Sequence, residues 1–150
     1  MIKTPRGFTL LMSVVISGVL LTLGYEIYNL AVKEVELSSS GRESQFAFYS
    51  ADTGIECALY LDTKQDAFAT TSALTQVTCG TAVSPLTRTT VGTDYITTFA
   101  FSLGGGINTQ CVDVRVTRQN PQKTIIESYG HNTCVLTNPR RLERAIRVTY

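Results

Sequence analysis

An uncharged, mostly apolar run from Phe8 to Tyr25 is the feature that most constrains how this 150-residue chain can fold. A leader of residues 1–7 precedes the run and carries Lys3 and Arg6. A positive flank beside a membrane-length apolar stretch predicts a segment that enters a membrane with its start facing the cytoplasm. The leader is too short, and the uncharged run too long, for a secretory signal peptide.

The run continues into an amphipathic pattern that predicts one long helix over Phe8–Leu61. Apolar residues recur at helical spacings of three and four; they include Ile27, Leu30, Ala31, Val35, Leu37, Phe46, Tyr49, Ile55 and Leu59. No proline occurs between Pro5 and Pro85 to force a break. The Ser-Ser-Ser-Gly segment at 38–41 is the weakest point, where we expect a kink or a loosened turn.

The rest of the chain has the alternation and turn signals of β-strands. The predicted strands are Leu74–Cys79, Asp94–Leu103, Thr109–Arg118, Lys123–Gly130 and Arg141–Tyr150. Residues 62–75 and 80–93 are interpreted mainly as connecting loops, and residues 104–106 and 119–122 as tight connections between strands. Short connections imply an antiparallel meander, one face of which covers the carboxyl half of the helix. The predicted fold class is therefore α+β.

Four cysteines lie beyond the apolar run, and none of them forms a CxxC pair that would suggest zinc. An even number in a small exported domain predicts two disulfides, for which three pairings are open. We favour Cys57–Cys79 and Cys111–Cys134, which join sequence neighbours. Each bridge would stabilise a small core by about 2–4 kcal/mol.

The amino terminus resembles that of a type IV pilin-like prepilin: Lys3, Arg6 and Gly7 are followed by Phe8-Thr-Leu10 and the apolar helix. The resemblance implies cleavage after Gly7 by a prepilin peptidase and methylation of the new amino-terminal Phe8. It also implies a single-pass protein of the bacterial cytoplasmic membrane that later joins an extracellular pilus filament. The implied partners are the prepilin peptidase, other pilin subunits and the pilus assembly platform of the inner membrane.

On this interpretation the chain has four parts. They are a leader (1–7), a membrane and filament-core helix (8–37), an amphipathic helix half (38–62) and a disulfide-stapled β domain (63–150). Assembly would depend on the start of the mature helix, at Phe8, Thr9, Leu10, Leu11 and Met12.

Met12 departs from the family pattern, because most members have glutamate at this fifth position of the mature chain. In the family that glutamate is thought to pair with the free amine of the neighbouring subunit toward the filament tip. A charge inside hydrocarbon is costly and is kept only for a partner. A subunit that has no neighbour above it does not need this glutamate. Its absence therefore favours a minor or tip-associated pilin over a shaft subunit. A divergent major pilin that assembles by packing alone is the alternative.

The stretch Ala51-Asp-Thr-Gly-Ile-Glu56 resembles the second half of the helix in PilX-like minor pilins. Asp52 and Glu56 lie four residues apart on one helical face, but no local histidine or third carboxylate joins them, so a solvated role is expected. Gly54 is predicted to permit close contact between helix and sheet. His131, the single histidine, is predicted to lie in a turn. We expect no catalytic residues, metal or cofactor.

Arg140, Arg141, Arg144 and Arg147 form the one basic cluster. On a terminal strand, Arg141 and Arg147 would share a face with Glu143, whereas Arg144 would share the apolar face and need an acidic partner or a bulge. A weak DNA or surface-glycan contact at Arg140, Arg141 and Arg147 is the functional reading, and a solvated strand face is the simpler one. Without Lys3 and Arg6 the chain has 11 basic and 12 acidic side chains, so bulk attraction to nucleic acid is not expected.

The function predicted from the sequence is structural, as a subunit of a type IV pilus. The alternative is a pseudopilin of a type II secretion or competence (DNA-uptake) machine, which would use the same architecture. A membrane-anchored binding module that never polymerises represents a different class, and an enzyme is the most remote interpretation.

Overall fold

The first element is one long helix. In a computed structural model, which describes residues 6–104, 109–119 and 123–150, this helix, α1, spans Arg6–Gln65. It ends four residues beyond the predicted Leu61, and residues 38–41 belong to it. Asp66 follows with a left-handed φ of 45°, which Asp tolerates better than most residues. The Ala67 amide then bonds to the Leu61 carbonyl at 3.1 Å and satisfies one of the acceptors left free at the helix end.

The chain divides into two compact units, Met1–Gly41 and Arg42–Tyr150. In the first unit, every described side chain from Phe8 to Gly41 is exposed except that of Asn29, which is half-buried. The second unit contains the rest of α1 and all of the described strands. Within the described residues, one helix is long and apolar enough to cross a membrane, and it is α1 from Phe8 onward.

Two antiparallel sheets make up the rest of the second unit. The small sheet pairs β1 (Gln76–Cys79) with β2 (Ala82–Pro85). The larger sheet is a five-stranded meander in chain order, composed of β3 (Thr87–Val91), β4 (Asp94–Ser102), β5 (Cys111–Gln119), β6 (Lys123–His131) and β7 (Glu143–Thr149). The predicted α+β class, with a long helix and an antiparallel meander, is confirmed.

The strands that bury apolar side chains are the ones that the sequence predicts. β1 and β4 to β7 lie at the predicted positions with small changes at their ends. β2 and β3 fall within residues 80–93, so their interpretation as a loop was wrong. Four of the five side chains of β3 are exposed, and a solvated Thr-rich strand lacks the apolar alternation that identifies a strand. Residues 105–106 and 120–122, in two predicted connections, lie outside the described residues.

Both favoured disulfides are present. Cys57–Cys79 joins α1 to β1, and Cys111–Cys134 joins the start of β5 to the segment that follows β6. The first bridge therefore connects the helix to the small sheet. The second holds the connection between β6 and β7 against the meander.

The core of the second unit lies between α1 and one face of the meander. Val112, Val114 and Val116 alternate along β5 on this inner face and are at most 2% exposed. The side of α1 that they meet presents small residues at helical spacing, namely Ala47, Ala51, Gly54 and Ala58. Three stacked phenylalanine rings lie beyond these residues. The ring centroids of Phe68 and Phe99 are 5.9 Å apart, and those of Phe99 and Phe101 are 6.2 Å apart. The meander therefore covers the carboxyl half of the helix, as predicted.

Two glycines set how closely helix and sheet approach. A Cβ added at Gly130 of β6 would lie 2.1 Å from the Ala47 carbonyl oxygen and 2.3 Å from the Ala51 amide nitrogen. A Cβ at Gly54 would lie 2.2 Å from the Ser128 hydroxyl and 2.5 Å from a Val112 methyl group. The predicted role of Gly54 in close contact is thus confirmed. At Gly130 the obstructing atoms belong to the helix backbone, so no side-chain rotation can make room.

Gly130→Ala should therefore destabilise the second unit by about 3 kcal/mol, the upper range for overpacking a core. The measurement is chemical denaturation of the full chain in detergent, with the near-ultraviolet circular dichroism of its tyrosines as the readout. Gly41→Ala is the matched control, because no atom lies within 4 Å of the added Cβ. It should be neutral or stabilise the helix by up to about 1 kcal/mol. Equal stability of the two variants would refute the close contact.

Candidate functional site

The amino-terminal part of α1 is the first candidate site. Phe8 is 63% exposed and Met12 is 46% exposed, and the other predicted assembly residues, Thr9, Leu10 and Leu11, are exposed with them. Arg6 and Gly7 have helical backbone, whereas residues 1–5 of the leader lie outside the described residues. Cleavage after Gly7 and methylation of Phe8 remain predictions.

Apolar side chains surround this part of the helix on all sides. Consecutive positions on an α-helix are rotated by about 100°, so the exposed triplets Leu10 to Met12 and Val14 to Ile16 each cover most of a turn. No Asp, Glu, Lys, Arg or His occurs from Phe8 to Tyr25. A helix that is apolar all round is stable only when its surroundings are apolar too.

Three hydroxyl groups within this stretch are satisfied by the helix itself. Ser13, Ser17 and Thr22 donate hydrogen bonds to the carbonyl oxygens of Leu10, Val14 and Val19 at 2.8, 3.0 and 2.8 Å. Such back-bonding removes the need for water or for a polar partner. These side chains can therefore enter lipid or a helical bundle without an unsatisfied donor.

A buried carboxylate connects the end of α1 to the meander. Asp62 is 6% exposed and accepts hydrogen bonds from the Arg118 guanidinium and, at 2.5 Å, from the Tyr150 hydroxyl. Arg118 lies near the end of β5, and Tyr150 follows β7 directly. Burial raises the pKa of Tyr150 well above its ordinary value, and the hydrogen bond to Asp62 raises it further. The three residues join three distant segments, which suits a structural role.

Asp52 and Glu56, the paired carboxylates on α1, are both exposed. They make no hydrogen bond or salt bridge within the described part of the chain. Over residues 6–104, 109–119 and 123–150, no group of three or more His, Cys, Asp or Glu side chains could hold a metal ion.

The structure separates the arginine cluster. Arg141 precedes β7, where its amide bonds to the Asn138 carbonyl, so the prediction that it shares a strand face with Arg147 was wrong. Arg147 lies on β7 with its Nε 3.7 Å from Glu127 of β6. Arg140 is exposed, and its carbonyl accepts a hydrogen bond from Asn132.

Arg144 was expected to need an acidic partner or a bulge, and the described part of the chain shows neither. Its Nε donates a hydrogen bond to the Ser44 hydroxyl of α1 at 2.8 Å. The side chain is exposed at the sheet edge, so water can solvate the charge that the serine does not neutralise. Arg144 and Arg147 therefore have different neighbours, Ser44 of α1 and Glu127 of β6.

His131 is the last residue of β6 rather than part of a turn, and it is 2% exposed. Its Nε2 lies 3.0 Å from Asp113 of β5, and its Nδ1 lies 3.6 Å from Glu143 of β7. Its register partner on β5, Cys111, is in a disulfide and cannot act as a nucleophile. The His131–Asp113 contact holds the imidazole and the carboxylate in fixed positions relative to each other.

Sequence reasoning missed Asp62, Asp113 and Gly130 as positioning residues. One signal was available for Asp62, because it continues the spacing of Ala51 and Ala58 along the buried side of α1. Nothing local marks Asp113 or Gly130, whose roles depend on strand register.

Comparison with protein-family models, with curated proteins and with solved structures found no match.

The Asp62–Tyr150 contact predicts the alkaline behaviour of the protein. Because folding raises the pKa of Tyr150, its contribution to stability is fully present below the ordinary value of 10.0 and is lost as the pH rises above it. In an absorbance titration of phenolate formation, one of the seven tyrosines should ionise late, and Tyr150→Phe should remove that step. Tyr60→Phe, at a residue that is 58% exposed, should keep it. A late step that survives in Tyr150→Phe would contradict the assignment.

Proposed function

We propose that the protein is a structural subunit of a type IV pilus, and specifically a minor or tip-associated pilin. It is processed after Gly7, inserted as a single-pass protein in the bacterial cytoplasmic membrane, and assembled into an extracellular filament through its amino-terminal helix. Its partners are prepilin peptidase, the assembly platform and other pilin subunits.

One observation carries this proposal: a helix that is exposed, uncharged and apolar on every side from Phe8 to Tyr25 belongs to the same chain as a compact, disulfide-stapled sheet unit. A plain membrane anchor needs only its apolar stretch. Here α1 continues past that stretch and provides one side of the core of the second unit. A pilin requires both, because its helix anchors the chain before assembly and packs with neighbouring helices afterwards.

The hydrogen bonds of the hydroxyl groups also support a helix that serves first in the membrane and then in the filament. A helix that passes from lipid to a filament core meets an apolar environment in both places. Ser13, Ser17 and Thr22 are bonded to their own backbone and need no partner in either. The transfer therefore leaves these three hydroxyl groups satisfied.

Met12 supports a position at the tip. A thioether at the fifth mature position cannot pair with a subunit amine, and it packs well in apolar surroundings. A subunit with no neighbour above it needs no such pair. We therefore assign the chain to the end of a filament and expect few copies in each one.

Met12→Glu tests this assignment. Without a partner, the new carboxylate would cost about 2.5–3.5 kcal/mol in an apolar environment, so the variant should yield fewer filaments that contain the protein. Met12→Leu is the control, since it conserves volume and charge and should assemble normally. The measurement is the amount of the protein in filaments sheared from cells, relative to the major pilin.

Two results would contradict the tip position. One is Met12→Glu assembling at least as well as the unaltered chain, which is the behaviour of a shaft subunit. The other is a copy number in sheared filaments comparable to that of the major pilin.

A further inference from the structure

The outer face of the meander, opposite α1, contains a groove of about 380 Å³. Side chains of four strands meet there in two adjacent rows: Thr87, Thr98 and Arg115 in one, and Ala100, Asp113 and Tyr129 in the other. The small side chain of Ala100 leaves a depression between longer neighbours. The volume is within the range of small-molecule sites.

One wall of the groove is held rigidly. Ser84 of β2 is 2% exposed, and its hydroxyl contacts the backbone of Ala100 on β4, at 2.6 Å from the carbonyl oxygen and 3.2 Å from the amide nitrogen. This contact fixes β2, and with it Pro85, beside the depression. The position of this wall therefore depends on a buried hydroxyl bonded to the main chain.

Asp113 is presented to the groove with one oxygen already in use. Its Oδ2 lies 3.0 Å from Nε2 of the buried His131, while 57% of its side chain is exposed. The contact orients the carboxylate at no further entropic cost to a ligand. Oδ1 makes no hydrogen bond with any residue that the structure describes, so it remains an acceptor for a ligand.

Arg115 supplies a free donor beside it. The residue lies two positions along β5 on the same face, is exposed, and has no hydrogen bond or salt bridge within the described ranges. Its cross-strand neighbour Glu127 contacts Arg147 instead, at 3.7 Å. A free acceptor and a free donor thus lie next to each other, with the ring of Tyr129 lining the same space.

We propose that this groove binds a neutral pyranose sugar. Neighbouring sugar hydroxyls both donate and accept hydrogen bonds, so they match a carboxylate beside a guanidinium, and the C–H face of the ring matches an aromatic side chain. A phosphate or carboxylate ligand would meet the negative charge of Asp113, and an apolar ligand would desolvate two charges without replacing their hydrogen bonds. The proposal does not depend on assembly into a filament.

The test is a titration of the full ¹⁵N-labelled chain in a detergent without a sugar headgroup, such as lauryldimethylamine oxide. The probes are methyl α-glucopyranoside, methyl β-galactopyranoside and N-acetylglucosamine, and the readout is the amide shifts of Asp113, Arg115 and Tyr129. At least one sugar should shift these amides in a saturable manner. Glycine and inorganic phosphate, added in parallel, should not.

Arg115→Gln should weaken the binding of that sugar at least tenfold while leaving the spectrum of the rest of the protein unchanged. Arg42→Gln is the matched control, because Arg42 is also exposed and unpaired in the described part of the chain but belongs to α1. The proposal is overturned if none of the three sugars shifts these amides. It is also overturned if Arg115→Gln binds as tightly as the control, or if only glycine or phosphate shifts these amides.

Discussion

No described residue of its own compact unit buries the amino-terminal part of α1, and the proposed function depends on this exposure. From Phe8 to Tyr25 its apolar side chains are exposed all round, and the hydroxyls of Ser13, Ser17 and Thr22 bond to the helix backbone. Such a helix is stable only in lipid or among other helices. The proposed pilin function would supply these two environments in turn, in the membrane stage and in the filament stage.

The carboxyl part of the same helix differs from the amino-terminal part, because it is buried under a sheet. Small residues at Ala47, Ala51 and Gly54 let the meander approach closely, and Gly130 completes the contact where a side chain would strike the helix backbone. Asp62 then fixes the helix end to two further segments. Because α1 covers one face of the meander, the proposed groove lies on the other face.

Much of this fold follows from local pattern. The helix and the buried strands β4 to β6 could be predicted because apolar periodicity reports them directly. The even number of cysteines indicated two disulfides, and a preference for sequence neighbours selected the pairing that the structure has. β3 could not, since a solvated Thr-rich strand owes its place to pairing with β4 rather than to burial. Tertiary register alone brings Asp113 to His131, so the candidate groove was beyond sequence reasoning. Alternation along β7 did predict that Arg144 and Arg147 lie on opposite faces, but Arg141 falls outside the strand.

The mature amino terminus tests the central claim most directly, because the pilin account requires the exposed helix to begin at Phe8. Intact-mass measurement of the chain, purified from a bacterium that makes type IV pili, should show loss of residues 1–7 and one added methyl group on Phe8. Gly7→Val should retain the leader, whereas Gly18→Val, inside the helix, should be processed normally. An intact Met1 in the unaltered chain, or a Phe8 without the methyl group, would contradict the account.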